Sequence, residues 1–442
     1  MNEQMSKKEK VKFLTLGCRL NQYETQAIRE NFLKRGYAEA DKNESTDIFV
    51  INTRTVTAES DKESRYLIRK CHRENPDAKV IVTGCYVERD QKTVSSLPGV
   101  THVVLNRQKS DIVNLLESCT SLSLDQANVP IRSKTEYTPL NISGFSGRTR
   151  AHIKIQDGCN HACSFCKVVL VRGKSRSRTL QEIIEEAKRL RDNGYSEIVL
   201  TGIQLGAYGL DLEYRLRLTQ VLEALAPIDG IERIRLSSIE PLDVTDDLID
   251  SIRSIPKVCH HLHIPLQSGS DKILKAMNRR YTRGQYLDLI EKLNQELENF
   301  ILTADVMTGF PGELDTDFEE TVDLLLSARP FKMHIFPYSS REGTRASRLT
   351  PVSQEVVQKR MSVLFELETK LRHEVALPYI GKELSILIEN SPKSEQLEGR
   401  AFNYLPVRIP KPAPHEAGDF VDVRIVDVED EYLVGEKCLA AV

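Results

Sequence analysis

The sequence has no tryptophan, no apolar run approaching the roughly 18 residues of a membrane span, and almost no net charge. The missing apolar run excludes a membrane-spanning helix, and the opening MNEQMSKKEK lacks the apolar core of a secretory signal. With 61 basic and 64 acidic residues the net charge is −3, so any nucleic-acid contact must come from a local patch. These absences predict a cytoplasmic protein without membrane contact.

The composition is that of a folded chain, with 40% hydrophobic and 28% charged residues. Its 442 residues are too many for one core, so about three domains of ~100–200 residues each are expected. Nine cysteines in a chain without a secretory signal do not indicate a disulfide framework, because cytosolic thiols are kept reduced. Their spacing is therefore read first as metal chemistry.

The N-terminal third alternates strand and helix patterns. Short apolar runs with β-branched residues occupy 11–16, 47–52, 79–84 and 102–105. With amphipathic stretches between them, they predict an open parallel α/β domain over residues 9–120. Residues 121–147 are polar and aperiodic, which predicts a linker.

A second alternating run covers residues 148–376. Its six candidate strands predict a partial (β/α)6 barrel, short of the eight units of a closed TIM barrel. Thr179 and Glu182 have the spacing of a capping box at the first long helix. The remaining residues, 377–442, form short β-rich pieces separated by Gly, Pro and Asn, which predicts a small β-barrel.

The segment most informative about chemistry is a C-x3-C-x2-C run directly after the first barrel strand. It comprises Cys159, Cys163 and Cys166, and this spacing arises by chance in about 4 in 1,000 such chains. Three thiolates suit a 4Fe–4S cluster with one open iron, whereas structural zinc normally needs a fourth ligand that is not offered nearby. The three cysteines are the predicted metal ligands and catalytic residues, and His161 is expected to be a solvent-facing turn residue.

Polar residues and glycines follow the third, fourth and fifth barrel strands. In such a barrel these positions lie on the carboxyl face, where ligand sites are built. Alternatively, the glycines simply allow tight turns. Together with the cysteine loop, the following residues are the candidate cofactor-binding positions: Glu240, Gln267, Ser268, Gly269, Gly309 and Gly312.

The cysteine run resembles the signature of the radical S-adenosylmethionine superfamily, which implies S-adenosylmethionine and a 4Fe–4S cluster as cofactors. Further segments resemble the methylthiotransferases of that superfamily, in the family's own domain order, with a C-terminal TRAM module. These segments are GCRLNQYET (17–25), TGCY (83–86), PLQSGSDKILKAMNRRYT (265–282), DVMTGFPGE (305–313), Gly399-Arg400 and Asn403-Tyr404. By this resemblance the chain is identified as a member of the radical S-adenosylmethionine methylthiotransferase family.

The resemblance implies radical methylthiolation of tRNA. LGCRLNQYET (16–25) is most similar to the branch that modifies C2 of N6-threonylcarbamoyladenosine next to the anticodon. Alternatives are methylthiolation of isopentenyladenosine in tRNA or of a ribosomal-protein aspartate, a relative that cleaves S-adenosylmethionine but inserts sulfur poorly, and a non-catalytic RNA-binding relative. The last would not need the three cysteines. The implied partners are tRNA, S-adenosylmethionine and an electron donor such as flavodoxin or ferredoxin.

One position departs from the family pattern. The resemblance implies an auxiliary 4Fe–4S cluster on three cysteines of the N-terminal domain; Cys18 and Cys85 match, but Arg54 stands at the third position. Arginine is always protonated and has no lone pair for iron, so assembly of this cluster is doubtful. Cys71 and Cys119 are expected at the opposite edge of the sheet and do not replace it.

A basic stripe follows the cysteine loop. Its cations are expected to neutralise RNA phosphates at the mouth of the site, with Arg172, Lys174, Arg176 and Arg178 as the candidate RNA-binding residues. The composition of the C-terminal region favours RNA binding less, because residues 379–442 include seven basic and 12 acidic residues.

Overall fold

The N-terminal region is a five-stranded, fully parallel sheet. The computed structural model describes residues 8–41, 44–55, 58–118, 136–389, 396–410 and 416–438. The strand order is β2-β1-β3-β4-β5, and β3 is buried along its whole length, as expected for a central parallel strand covered on both faces. The strands are β1 (Lys10–Thr15), β2 (Ala38–Glu39), β3 (Ile48–Thr53), β4 (Lys79–Gly84) and β5 (Val100–Val104).

Helices connect these parallel strands, so the carboxyl ends of the strands lie at the same edge of the sheet. In the pairing register Thr15 lies beside Asn52, and Thr53 beside Gly84, so β1, β3 and β4 end at one edge. The residues that follow these ends, including Cys18 and Cys85, therefore share that edge. The helices are α1 (Arg19–Lys34), α2 (Ala58–Glu74), α3 (Cys85–Arg89), α4 (Gln91–Ser95) and α5 (Ile112–Ser118).

The central region is the predicted partial barrel of six parallel strands. They form two three-stranded sheets joined by single bridges, Ile234 to Val258 and Ser238 to His263. A two-stranded antiparallel pair, β7 and β8, flanks the cysteine loop. In chain order the strands are β6 (Arg150–Lys154), β7 (Gln156–Asp157), β8 (Arg176–Ser177), β9 (Glu197–Thr201), β10 (Arg233–Leu236), β11 (His261–His263), β12 (Ile301–Thr308) and β13 (Lys332–Pro337).

The barrel helices pack outside the strands around one large apolar core. The predicted capping box is confirmed, because the Thr179 side chain accepts from the Glu182 backbone and Glu182 reaches back. The helices are α6 (Val168–Arg172), α7 (Leu180–Asp192), α8 (Leu218–Leu225), α9 (Asp246–Ser254), α10 (Asp271–Ala276), α11 (Arg283–Glu296), α12 (Asp315–Ala328) and α13 (Gln354–Ala376).

The C-terminal region is a closed five-stranded barrel in the order β14-β15-β16-β18-β17, as the sequence predicts. Its own apolar core also takes in Ile301 and Phe331 of the central region, so the two barrels are packed together. The strands are β14 (Glu383–Glu389), β15 (Gln396–Ala401), β16 (Pro406–Pro410), β17 (Phe420–Glu429) and β18 (Tyr432–Lys437).

The predicted linker is only partly a linker. Residues 119–135, with Cys119, lie outside the described residues. In the second half of the segment Leu140, Ile142 and Phe145 are buried in the core of the central barrel, and the Leu140 carbonyl accepts from Tyr23 at 2.6 Å. Because residues 121–147 are mostly polar, the sequence predicted a linker and did not predict that these three residues are buried in the core. The domain boundaries as a whole stay a prediction. In the described part of the chain, no helix combines the length and apolarity needed to cross a bilayer.

Candidate active site

The cysteine loop leaves the barrel at the carboxyl end of its first strand. Gly158 has a φ of +79°, and a Cβ there would lie 2.0 Å from the Lys174 carbonyl oxygen, so only glycine allows this turn. The Cys159 amide donates to Gly173 at 3.1 Å, which closes the base of the loop. The loop therefore has a fixed entry and exit, and its three thiols project from one short segment.

The three thiols of this loop are half-buried, and the backbone donates hydrogen bonds to two of them. Amides donate to two sulfurs, His161 to Cys159 at 3.3 Å and Val168 to Cys166 at 3.4 Å. Burial raises the pKa of Cys159 to about 12 and that of Cys166 to about 11, and each feels the negative charge of a neighbouring cysteine. Burial likewise raises the pKa of Cys163. Half-buried thiols on one loop that act electrostatically on one another and accept from N–H donors fit a cluster that binds thiolates, so these residues fit the implied 4Fe–4S group.

Gln204 holds this loop in place, and the sequence analysis did not predict this role. Its Oε1 accepts from the Asn160 amide at 3.1 Å and lies 3.5 Å from Cys159 Sγ, and its Nε2 is 2.8 Å from His161 Nε2. His161 is therefore half-buried and held in place, not the solvent-facing turn residue that was expected. In the sequence, only the position of Gln204 indicates a role at the site, because this residue follows the end of β9 on the carboxyl face of the barrel.

Two predicted cofactor residues lie at this site. Glu240 forms an ion pair with Arg279 and acts electrostatically on Cys159, Cys163 and Cys166. Gln267 has a φ of +67° and lines a cavity with Cys166, and its buried Oε1 has no hydrogen-bond partner among the described residues. An unsatisfied buried amide oxygen in a cavity wall is a position for a ligand donor.

The other four predicted cofactor positions face neighbouring helices. Gly269 and Ser268 lie against Thr321 of α12, whose hydroxyl accepts from the Gly269 amide at 2.9 Å. Gly309 lies against Val357 of α13, and the Gly312 carbonyl accepts from Lys272 at 3.3 Å. These contacts support the turn and packing alternative for all four.

The second cysteine pair lies across the same cavity. Cys18 and Cys85 line it together with Cys166, so one cavity connects this pair with the cysteine loop. Burial raises the pKa of Cys85, and the Arg172 guanidinium opposes that effect. Cys71 is buried in the apolar core on α2 and feels Lys12 near the start of β1, which places it at the opposite edge, as expected.

Arg54 does not complete that pair. Its guanidinium lies 3.4 Å from Glu63, and the side chain is 41% exposed. The backbone at this position is nevertheless in place, because a Cβ on Gly17 would lie 3.1 Å from Arg54 Cβ. Two thiols and an outward-turned guanidinium do not fit a three-thiolate cluster. Of the cysteines outside these two sites, Cys259 is buried and Cys438 is half-buried.

The basic stripe is largely internal, which corrects the expectation for two of its members. Arg172 is 2% exposed and bonds to Glu24 at 2.9 Å, and Arg178 is 1% exposed and bonds to Glu186 at 2.8 Å. A phosphate cannot reach either guanidinium. Arg176 is 12% exposed and lies 3.5 Å from Asp157, whereas Lys174 is exposed and stays a predicted RNA contact. Burial of the stripe depends on distant acids that local sequence does not reveal.

Glu24 joins the N-terminal sheet to the barrel through a buried ionic cluster. Its carboxylate contacts Lys154 at 2.8 Å, Arg172 at 2.9 Å, and also Lys109. Burial alone would raise the pKa of Glu24, but these three cations hold it well below its usual range. Because Cys18 directly precedes α1, which carries Glu24, the cluster fixes Cys18 relative to the cysteine loop.

Glu24→Gln is expected to lower the free energy of unfolding by about 3–5 kcal/mol, because it leaves buried cations without their counter-charge. Urea unfolding followed by circular dichroism measures this, since the chain has no tryptophan for fluorescence. Glu59→Gln, which removes an exposed partner of Lys62, is the control and should change stability by no more than about 0.5 kcal/mol. Equal midpoints for the two variants would show that the cluster does not depend on Glu24.

The floor of the barrel lumen carries a concentration of guanidiniums around Tyr404. Arg400, Arg235 and Arg150 lie 4.8, 5.0 and 5.5 Å from its ring centroid. Burial alone would raise the pKa of Tyr404, but these arginines and Arg19 lower it to about 8.

We therefore expect one phenol to lose its proton near pH 8, where a free tyrosine is still neutral. Ultraviolet titration of wild type minus Tyr404→Phe should show a phenolate with a pKa of about 8. A difference spectrum that first appears near pH 10 would mean that the guanidiniums do not act on this ring.

Comparison with known proteins agrees with this architecture region by region. Residues 10–106 match the uncharacterized protein family UPF0004, residues 153–325 the radical SAM superfamily, and residues 378–438 the TRAM domain. Among solved structures, the radical S-adenosylmethionine methyltransferase TsrM from Kitasatospora setae has a TM-score of 0.55 at 13% identity, covering 77% of each chain. At that identity the likeness shows the fold alone.

Curated relatives match over nearly the full length. The chain is 38% identical to "Threonylcarbamoyladenosine tRNA methylthiotransferase MtaB" of Bacillus subtilis, covering 96% of each chain. It is 39% identical to the protein of that name in Aquifex aeolicus, covering 86% of this chain and 92% of the relative. It is 33% identical to "tRNA-2-methylthio-N(6)-dimethylallyladenosine synthase" of Methylacidiphilum infernorum, covering 97% and 94% respectively.

Proposed function

Because the chain belongs to the radical S-adenosylmethionine methylthiotransferase family, we propose that it adds a methylthio group to C2 of N6-threonylcarbamoyladenosine in tRNA. The observation that carries the proposal is the cavity that Cys18 and Cys85 share with Cys166 of the cysteine loop, in a chain whose full-length relatives include threonylcarbamoyladenosine tRNA methylthiotransferases.

Cys159, Cys163 and Cys166 are the proposed ligands of the radical 4Fe–4S cluster. A cluster bound there would supply the electron for reductive cleavage of S-adenosylmethionine, the chemistry implied by the superfamily. Gln204 fixes the orientation of Cys159, and Arg279 holds Glu240 beside the thiols. Gln267 offers its free amide oxygen to a donor on the bound cofactor.

The walls of the cavity protect a reactive species from water. Phe165, Val168, Met307 and Phe336 line it between the two cysteine sites. Apolar walls exclude solvent and so suppress side reactions of a radical. Cys18 and Cys85 face this space and are the proposed sulfur-delivery edge.

A second candidate function is favoured by Arg54. With only two thiols at the sulfur-delivery edge, the protein would generate the radical but insert sulfur poorly. Substrate recognition and cleavage of S-adenosylmethionine are common to both candidates, and the two differ in the amount of methylthiolated product.

Mass spectrometry of tRNA nucleosides from a strain lacking this protein tests the proposal. The methylthiolated form of N6-threonylcarbamoyladenosine should disappear, and the unmethylthiolated nucleoside should be retained. This holds for either candidate function, whether the wild-type strain contains much or little of the methylthiolated form. An unchanged level of the methylthiolated nucleoside in the deletion strain would contradict the assignment. A loss confined to methylthiolated isopentenyladenosine would move the protein to the other tRNA branch.

A further inference from the structure

Three metal-ligating side chains meet in the lumen of the central barrel, outside both cysteine sites. They are His263 of β11, Asp305 of β12 and His334 of β13, and one ligand atom from each lies within 4.8 Å of the others. His263 Nε2 is 3.1 Å from Asp305 Oδ1, and the two imidazole ring centroids are 5.4 Å apart. Two imidazoles and one carboxylate thus converge on a single point.

The strand register brings these three side chains together. Asp305 and His334 are direct partners in the parallel pairing of β12 with β13, and His263 is the partner of Thr303, two residues before Asp305. The neighbouring residues on the opposite strand face belong to the apolar core under the helices, among them Leu262, Ala304 and Met333. Because side chains alternate along a strand, the two histidines and the aspartate face the lumen.

The three side chains lie one layer below the cavity of the radical site. Met307 and Phe336 line that cavity, and each comes two residues after Asp305 or His334 on the same strand. Two residues of a strand rise about 6.6 Å, and both side chains then point to the same face. The two histidines and the aspartate therefore lie beneath the floor of the cavity and within reach of a molecule bound in it.

Thr303 supplies the outer hydrogen bond that a metal-binding histidine needs. Its hydroxyl lies 2.9 Å from His263 Nδ1 and 3.0 Å from His261 Nε2, and a hydroxyl donates to one ring while it accepts from the other. When His263 carries its proton on Nδ1, Thr303 accepts that proton and the Nε2 lone pair faces Asp305 Oδ1. Two lone pairs 3.1 Å apart need a cation between them, so this arrangement favours a bound metal ion.

The charge states of the site agree with this geometry. Burial lowers the pKa of His334, and His263 beside it acts in the same direction. Burial alone would raise the pKa of Asp305, but the hydrogen bond from His263 and neighbouring charges lower it. Arg279 is a cation that acts on Asp305, and it is already paired with Glu240. A neutral imidazole and an ionised carboxylate are the forms that bind a metal.

We propose that His263, Asp305 and His334 bind one divalent transition-metal ion of the zinc or iron(II) class in the barrel lumen, separate from the cysteine sites. Imidazole ligands favour such ions over magnesium and calcium, which take oxygen ligands. Three protein ligands leave a coordination position for water or for a donor atom of a molecule in the cavity above. This site is distinct from the proposed methylthiolation chemistry and does not depend on it.

Calorimetric titration of the anaerobic, iron-loaded full chain with zinc tests this proposal. The wild type should bind one zinc ion that His334→Ala and Asp305→Asn each weaken about a hundredfold, because each removes one of three ligands. Thr303→Val keeps all three ligands but removes the partner of His263 Nδ1, so it should weaken zinc binding about tenfold. His373→Ala, which changes an exposed histidine of α13, is the matched control and should keep the wild-type affinity.

Zinc X-ray absorption at one equivalent separates this site from the cysteine pair at the sulfur-delivery edge. Nitrogen and oxygen neighbours at about 2.0–2.2 Å are expected, whereas sulfur at about 2.3 Å would place the ion on Cys18 and Cys85 and overturn the assignment. A wild type that binds no zinc, or a His334→Ala protein with wild-type affinity, would overturn it as well. Circular dichroism of each variant checks that the fold is retained. No tRNA is present in these measurements, so failure of the proposed function would leave the expected zinc binding unchanged.

Discussion

Cys163→Ala is expected to abolish cleavage of S-adenosylmethionine. Three thiols lie on one short loop, and the two other cysteines that line the adjoining cavity, Cys18 and Cys85, belong to the N-terminal region. Two thiolates do not hold a 4Fe–4S cluster with one iron positioned for a cofactor. Production of 5′-deoxyadenosine under reducing conditions, measured by liquid chromatography, should fall to background.

Cys438→Ala is the matched control, because this half-buried cysteine belongs to the C-terminal barrel and should leave 5′-deoxyadenosine production unchanged. Circular dichroism of both variants confirms that the fold is retained. Undiminished 5′-deoxyadenosine release by Cys163→Ala would mean that the radical site is elsewhere.

Local sequence predicted those parts of the molecule that depend on local spacing. The cysteine loop, the capping box at Thr179 and the order of strands and helices all follow from residues a few positions apart. Such patterns are informative because hydrogen bonds and metal ligands within one turn are set by chain geometry. The three-part architecture followed for the same reason.

Long-range burial could not be predicted in this way. Arg172 and Arg178 look like an exposed cationic stripe in sequence, yet their partners Glu24 and Glu186 lie 148 and eight positions away. The spacing of Arg178 and Glu186 fits two turns of a helix, but Arg178 precedes α7 and reaches inward. Only the packing of α1 against the barrel makes these arginines internal.

The glycines at strand ends illustrate the same limit. Gly269 and Gly309 follow strands on the ligand face, but the contacts that require them are with α12 and α13. Sequence position identified the correct face of the barrel but could not separate a ligand contact from a helix contact. Gln267 is the member of this group whose free oxygen lies in the cavity wall.

Arg54 is the position at which the two candidate functions separate. Its backbone lies beside Gly17 and next to the carboxyl end of β4, so a side chain there starts at the same edge as Cys18 and Cys85. The guanidinium itself turns to Glu63. Replacement by cysteine would therefore put a third sulfur at the sulfur-delivery edge without moving the backbone, and the loss of one exposed ion pair costs little.

The second candidate function predicts that the wild-type protein, reconstituted anaerobically, holds about four irons per chain and forms 5′-deoxyadenosine but little methylthiolated product. Arg54→Cys should raise the iron content to about eight and increase the methylthiolated nucleoside, because three thiolates complete a second cluster site. Arg54→Ser is the matched control: it removes the guanidinium but supplies no thiolate, so it should stay at about four irons. Iron analysis and product mass spectrometry on the three proteins together distinguish these outcomes. About eight irons and full turnover in the wild type would mean that another ligand serves in place of position 54, and an Arg54→Ser protein that gains iron would show that the guanidinium, not the missing thiolate, excludes the cluster.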